Sequence, residues 1–298
     1  MSIPTRMPRA EPRFDAVVTV DWSAAAKPTT GADSIWLAAV GRDGWAGLVN
    51  PPTRGAAMAT LRHWLARCLE RRQRVLVACD FPLGFPRGTA QALGLTGGEG
   101  AWLALWRRLA RDLVDDDATN HNNRFAVASA WNAALGPAFW GCPPAAAGTH
   151  LNPRKPAHRP LPDRRLVEER MPTAQSVWKL YTTGSVGSQA LTGMARLLAL
   201  KDYFGNNLSV WPFETSWSAG TTPVVVAEMY PSLHPAEVLP GLPRDAGQAV
   251  AMARWLIDAD PAVFQGEPGL QPAEDAAVRR EEGWVLGVSG PQTAVRSA

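Results

Sequence analysis

Ala16-Val17-Val18-Thr19-Val20-Asp21 is a short apolar run, dense in valine, that stops on a carboxylate. Two further stretches repeat the pattern: Val75-Leu76-Val77-Ala78-Cys79 runs into Asp80, and Val224-Val225-Val226-Ala227 runs into Glu228. β-Branched runs without polar alternation predict strands covered on both faces, as in the middle of an α/β sheet. Ligands of such sheets gather beyond the C-terminal ends of the strands, so the three acids are expected to meet at one edge. Carboxylates crowded in a partly buried setting repel one another, and such a group carries raised pKa values or a divalent cation. Taken singly, each acid also reads as a helix cap or a turn residue.

Working outward, residues 34–40 and 44–50 are β-like and separated by a turn holding Arg42, Asp43 and Gly44, which predicts a hairpin after the first strand. Apolar residues at helical spacing over 54–72 predict a helix leading directly into the Val75 strand. The order to this point is β-β-β-α-β. Residues 87–210 read mostly as helix and loop, with helices expected over 99–117, 122–135 and 189–203 and an irregular surface excursion over 143–172, rich in proline and basic residues. Strand character returns at Val224, followed by helices over 244–258 and 273–282 and an apolar stretch over 284–288. The expected organisation is one α/β domain over 14–288, its core built from 14–86 and 211–288 around a helical insertion at 87–210, with a frayed tail over 289–298.

The chain has 298 residues and a formal charge of +3, too weakly basic to argue for nucleic acid unless the charges cluster. Arginines group at 67–74, 107–111 and 154–165, which reads as exposed helix faces and a solvated loop. Cys68, Cys79 and Cys142 are odd in number and lack metal-site spacing, so a reduced, cytoplasmic protein is expected. No uninterrupted apolar stretch is long enough to span a bilayer. The five histidines show no paired zinc-site spacing, and of them only His234, six residues beyond Glu228, is expected near the strand-end acids. No nucleophile elbow, dinucleotide-binding glycine signature or Walker loop is present. The 13 tryptophans fall mostly at core-like positions, which favours packing over base stacking.

Four blocks carry a resemblance: Val20-Asp21-Trp22-Ser23, Cys79-Asp80-Phe81-Pro82-Leu83-Gly84, Glu228-Met229-Tyr230-Pro231-Ser232 and Arg244-Asp245-Ala246-Gly247-Gln248-Ala249. In this order they resemble the motifs of the predicted-nuclease family filed as DUF429, which is similar to the Holliday-junction resolvases and has a ribonuclease H-like fold. The resemblance implies a metal-dependent phosphodiesterase or nuclease holding Mg²⁺ or Mn²⁺, with Asp21 as bridging ligand, Asp80 as second ligand and Asp245 as helix ligand. Glu228 would be a fourth catalytic acid, a ligand or the orienter of one. Asp245, near a helix start, also reads as a residue favoured by the macrodipole. The second acid of the family's helix motif falls on Gln248 here, and an amide brings no charge to a second ion. A non-hydrolytic protein that binds a nucleotide or phosphorylated metabolite on the same fold is therefore the alternative.

Asn123-Arg124-Phe125, Gln175-Ser176-Val177-Trp178-Lys179-Leu180 and Gly184-Ser185-Val186-Gly187-Ser188-Gln189 resemble a subgroup of that family. They nominate Arg124, Lys179, Ser185 and Gln189 as substrate contacts, with Ser23 and Gln248 nearer the acids. A Gly-Ser loop leading into a helix can cradle an anion on backbone N–H groups, or can be a plain turn before a capped helix. Expected partners are nucleic acid or a phosphate-bearing small molecule, and no membrane; oligomeric state is left open.

Overall fold

The computed structural model describes residues 14–96, 100–267 and 269–289. In chain order the elements are β1 (Ala16–Asp21), β2 (Trp36–Gly41), β3 (Ala46–Val49), α1 (Arg54–Glu70), β4 (Val75–Cys79), α2 (Thr89–Ala92), α3 (Ala101–Asp112), α4 (Arg124–Leu135), α5 (Leu166–Arg170), α6 (Gly187–Phe204), β5 (Leu208–Val210), β6 (Val224–Glu228), α7 (Arg244–Asp258) and α8 (Pro272–Ala277). A π-helical turn, Val278–Glu282, closes the last helix.

The strands form one six-stranded mixed sheet in the order β3-β2-β1-β4-β6-β5. β1, β2 and β3 are an antiparallel meander, and β4, β6 and β5 continue parallel to β1. The valine-rich runs are therefore the three central strands, buried on both faces as their composition requires. Side-chain alternation splits the core in two. Val18, Val20, Val77, Cys79, Val224 and Val226 meet α1, α3, α4 and α6 on one face. Val17, Leu76, Ala78, Val225 and Ala227 meet α5, α7 and the segment around Trp284 on the other.

α1 starts where the Thr53 hydroxyl accepts from the Ala56 N–H at 3.1 Å. α3 lays Trp102, Leu105, Trp106 and Leu109 inward, spaced as one helical stripe requires. The helix expected over 99–117 is thus shorter, and residue 99 lies outside the described residues, as do 290–298 of the expected tail.

The segment expected as a helical insertion is part of the main body: α3, α4 and α6 share one core with α1 and the sheet. It also ends sooner than expected, because Leu208–Val210 adds a sixth strand at the sheet edge beside β6. The stretch 143–172 is irregular over most of its length but carries the short helix α5, and Arg165, Leu166, Val167 and Glu168 within it are buried rather than solvated. Cys68, Cys79 and Cys142 are free and buried. Among the described residues no helix is long and apolar enough to cross a membrane.

Candidate functional site

Register fixes the height of each acid. Val20 lies opposite Cys79, Cys79 lies opposite Glu228, and the Asp80 N–H continues the ladder to the Val20 carbonyl at 3.1 Å. Asp21 and Asp80 are therefore level, with Glu228 one residue behind, and all three occupy the C-terminal edge of the parallel strands. Alternation then divides them. Asp21 and Asp80 follow Val20 and Cys79 and belong to the α7 face, whereas Glu228 shares its parity with Val226 on the opposite face.

The Asp21 and Asp80 carboxyls share a hydrogen bond. Asp80 Oδ1 also accepts from the Trp22 N–H at 2.9 Å, so the backbone leaving β1 holds one acid of the pair in place. Burial and the neighbouring charges of Asp80, Asp245 and Asp33 push Asp21 well above the usual carboxylate range. Burial raises Asp80 to about 7, against the lowering effect of the Trp22 N–H and of Asp21. Both side chains are only partly covered, so solvent reaches the pair.

Asp245, the second residue of α7, comes in from the helix side. Its Oδ2 accepts the Asp33 N–H at 2.7 Å, a bond across the mouth of the site rather than to its own helix end. Asp245 makes no cap bond to its own helix, although its place in the first turn is one the macrodipole favours. α7 is fixed against the sheet by the Thr19 hydroxyl, which donates to the Ala249 carbonyl at 2.8 Å. Asp33 is exposed, has φ of 55°, and receives the Ser23 hydroxyl on its carbonyl at 3.2 Å. Ser23 also accepts the Ala25 N–H at 3.3 Å, which makes it a turn residue that braces the 23–34 loop. Gln248 is half-buried one turn along α7 from Asp245.

Glu228 does not join this group. Arg165 grips it with a two-pronged pair at 2.7 Å to each oxygen, and the Leu83 N–H adds a bond at 3.2 Å. Arg165 also donates to Glu168 Oε1 at 2.7 Å and to the Glu282 carbonyl at 3.0 Å. The Glu282 carboxylate accepts from the Leu166 N–H at 2.6 Å and the Arg87 N–H at 2.8 Å. Glu228 is thus part of a buried latch that joins β6, the turn after β4, α5 and the π-helical turn. The turn needs Gly84, whose added Cβ would lie 2.1 Å from the Glu281 carbonyl oxygen. Glu214, an acid just beyond β5, is engaged away from this group, pairing with Lys201 at 2.8 Å and accepting the Val210 N–H. His234 stacks on Trp255 with ring centres 4.1 Å apart, ten residues and so about 15 Å along α7 from Asp245.

The nominated substrate contacts gather at the start of α6. Gln189 donates from Nε2 to the Trp22 carbonyl at 3.0 Å, one residue from Asp21, and its Oε1 is enclosed without a hydrogen-bond partner among the described residues. Trp22 Nε1 donates to Thr192 Oγ1 at 3.1 Å, a second tie between β1 and α6. Arg124 donates from Nε to Ser188 Oγ at 2.9 Å and from a terminal nitrogen to Asn122 Oδ1 at 2.8 Å. Burial and the nearby Arg54 lower its pKa to about 10. Lys179 is engaged locally, donating to the Thr183 carbonyl at 2.8 Å, and the Ser185 N–H closes a turn on Thr182. These two shape the loop rather than reach into the site. Gly187 lets the loop cross the preceding segment, since a Cβ there would lie 2.3 Å from the Val177 carbonyl oxygen.

Among the described residues no group of three or more His, Cys, Asp and Glu side chains is arranged as a ready metal-ligand set. The donor chemistry of the acid pair nevertheless suits a hard divalent ion: carboxylate oxygens only, partly solvated, and with no cation among the described residues at ion-pair distance. Asp33 and Arg165 are the residues that the sequence reading passed over. The chain matches no protein-family model, no curated protein and no solved structure.

Proposed function

We propose that the chain is a metal-dependent phosphodiesterase or nuclease of ribonuclease H-like fold, related to the predicted-nuclease family that its four motif blocks resemble. One observation carries the reading: Asp21 and Asp80, on neighbouring parallel strands, share a hydrogen bond at the C-terminal sheet edge, with Asp245 entering from the final long helix. The central β1 strand within a meander, a parallel fourth strand and a helix packed across β1 support the fold assignment, with β6 beside β4 and β5 as an added edge strand.

Asp21, Asp80 and Asp245 would hold Mg²⁺ or Mn²⁺. Such an ion, when bound, supplies an activated water and charge stabilisation at a phosphodiester. The chain's own contribution is positional. Trp22 fixes Asp80 through its N–H, Asp33 fixes Asp245, and Thr19 fixes the helix that carries Asp245. Gln189, bonded to the Trp22 carbonyl, and Arg124, bonded to the adjacent Ser188, would offer an amide and a cation to a phosphate. The organisation as one domain over 14–288 and a cytoplasmic setting belong to the same proposal.

Gln248 favours a second reading, a protein that binds a phosphate-bearing ligand on this fold without cutting it. The two readings separate in a hydrolysis assay on single-stranded oligonucleotide with Mn²⁺. Under the first, the wild-type chain cleaves and Asp80→Asn loses at least a hundredfold; binding without cleavage at any Mn²⁺ concentration supports the second.

A further inference from the structure

At the start of α6, one residue from the Gln189 that reaches β1, Ser188 holds a cation, Arg124, that has no ion-pair partner among the described residues. Asp115, the carboxylate whose charge acts on Arg124, is shared between Arg54 and Arg196 at 2.5 and 2.7 Å. Arg124 makes no ion pair among the described residues and keeps only neutral partners, Ser188 and Asn122. Its guanidinium lies over the Phe125 ring at 4.4 Å, and Phe125 meets Tyr181 edge to face at 6.3 Å. Tyr181 is 44% exposed, one of few large apolar side chains on the described surface. Ser188 binds both ends of this arrangement, accepting from Arg124 and donating to the Leu180 carbonyl next to Tyr181 at 2.6 Å. Gln189, the next residue, reaches the Trp22 carbonyl beside the acid pair.

A charge that wants an anion, an exposed ring next to it and a short hydrogen-bonded path to the acids form a row. We infer that this row is a nucleotide platform: Arg124 takes a backbone phosphate of a single-stranded nucleic acid and Tyr181 stacks on the base attached to it. A flexible single strand can present an unstacked base and its phosphate together, as an exposed ring and a cation require. A duplex keeps its bases stacked and leaves Tyr181 unused. The inference rests on the proposed phosphodiesterase site and names its substrate class.

The test is binding of a fluorescein-labelled oligothymidylate in metal-free buffer, read by anisotropy, together with Mn²⁺ calorimetry on the same proteins. Tyr181→Ala is expected to weaken oligothymidylate binding by roughly tenfold, while Tyr181→Phe binds like the wild type. Arg124→Gln is expected to weaken it and to lower the salt dependence by about 0.7 in log–log slope, the value for one phosphate contact on a single strand. Mn²⁺ affinity stays at the wild-type value in Tyr181→Ala. Equal oligothymidylate binding by Tyr181→Ala and wild type, no binding by wild type, or a parallel loss of Mn²⁺ in Tyr181→Ala would each overturn the platform. Failure of the metal reading shows separately, as a wild-type chain that takes up no Mn²⁺.

Discussion

Asp21 and Asp80 sit level on neighbouring parallel strands, their carboxyls joined by a hydrogen bond while the Trp22 N–H donates to Asp80 from the other side. Two acids so placed bind one proton more readily than either does alone in water, because ionising both puts two like charges in contact where bulk solvent only partly screens them.

That pair makes metal-free stability fall with rising pH. A carboxyl whose folded pKa is raised binds more protons folded than unfolded between its ordinary value and its raised one, so stability is lost as pH rises from about 4 through about 7. Thermal melts in metal-free buffer should show the loss, on the order of 4 kcal/mol by pH 8 from the rise of Asp80 to about 7. Asp21→Asn removes one of the repelling charges, so it should melt higher than wild type at pH 8 and show a flatter profile. A lower melting point for Asp21→Asn at that pH would contradict the crowded pair.

The same proton competes with a metal. Mn²⁺ affinity is expected to tighten as pH rises from about 6 to about 8, approaching tenfold per unit where one proton is displaced. Calorimetry in buffers of differing ionisation enthalpy counts that proton. An affinity flat across this range would remove the acid pair from the binding set.

Glu228 has a different fate. Arg165→Met strands buried carboxylates of Glu228 and Glu168 and is expected to cost about 3–5 kcal/mol in urea unfolding. Combining it with Glu228→Gln should recover part of that loss. Glu228→Gln alone should leave the number of bound Mn²⁺ ions unchanged, since its oxygens already face Arg165 and the Leu83 N–H. A lost Mn²⁺ site in that variant would return Glu228 to the acid group.

Gln248→Asp adds a charge one turn from Asp245. It should lower metal-free stability by about 1 kcal/mol, tighten a second Mn²⁺ and speed oligonucleotide cleavage. No gain in cleavage across Mn²⁺ concentrations would favour the non-hydrolytic reading.

The sheet core was legible because its signal is local. Valine runs that end on acids give β1, β4 and β6, and the apolar spacing over 244–258 gives α7 with both its ends. β5 was missed because three residues, Leu208, Ser209 and Val210, are too few to show a period. Arg165 reads as a solvated residue because two of its three partners are remote, Glu228 lying 63 positions away and Glu282 lying 117, and Glu168 three positions on reads as an ordinary surface pair. Only the apolar pair Leu166-Val167 directly after it hinted at burial. Asp33 reads as an ordinary turn residue between Gly31 and Ser34; its place beside Asp245 depends on how the 23–34 loop folds back across α7. Sequence pattern also set Glu228 beside Asp21 and Asp80 by its strand-end position. Pleat parity, which requires the register, then divided them.

The acid pair as a divalent-ion site is tested most directly by calorimetric titration of Mn²⁺ into the wild-type chain and Asp21→Asn at pH 8. Saturable binding by wild type that Asp21→Asn reduces at least a hundredfold is the predicted result. Equal Mn²⁺ binding by the two proteins, or none by wild type, would contradict it.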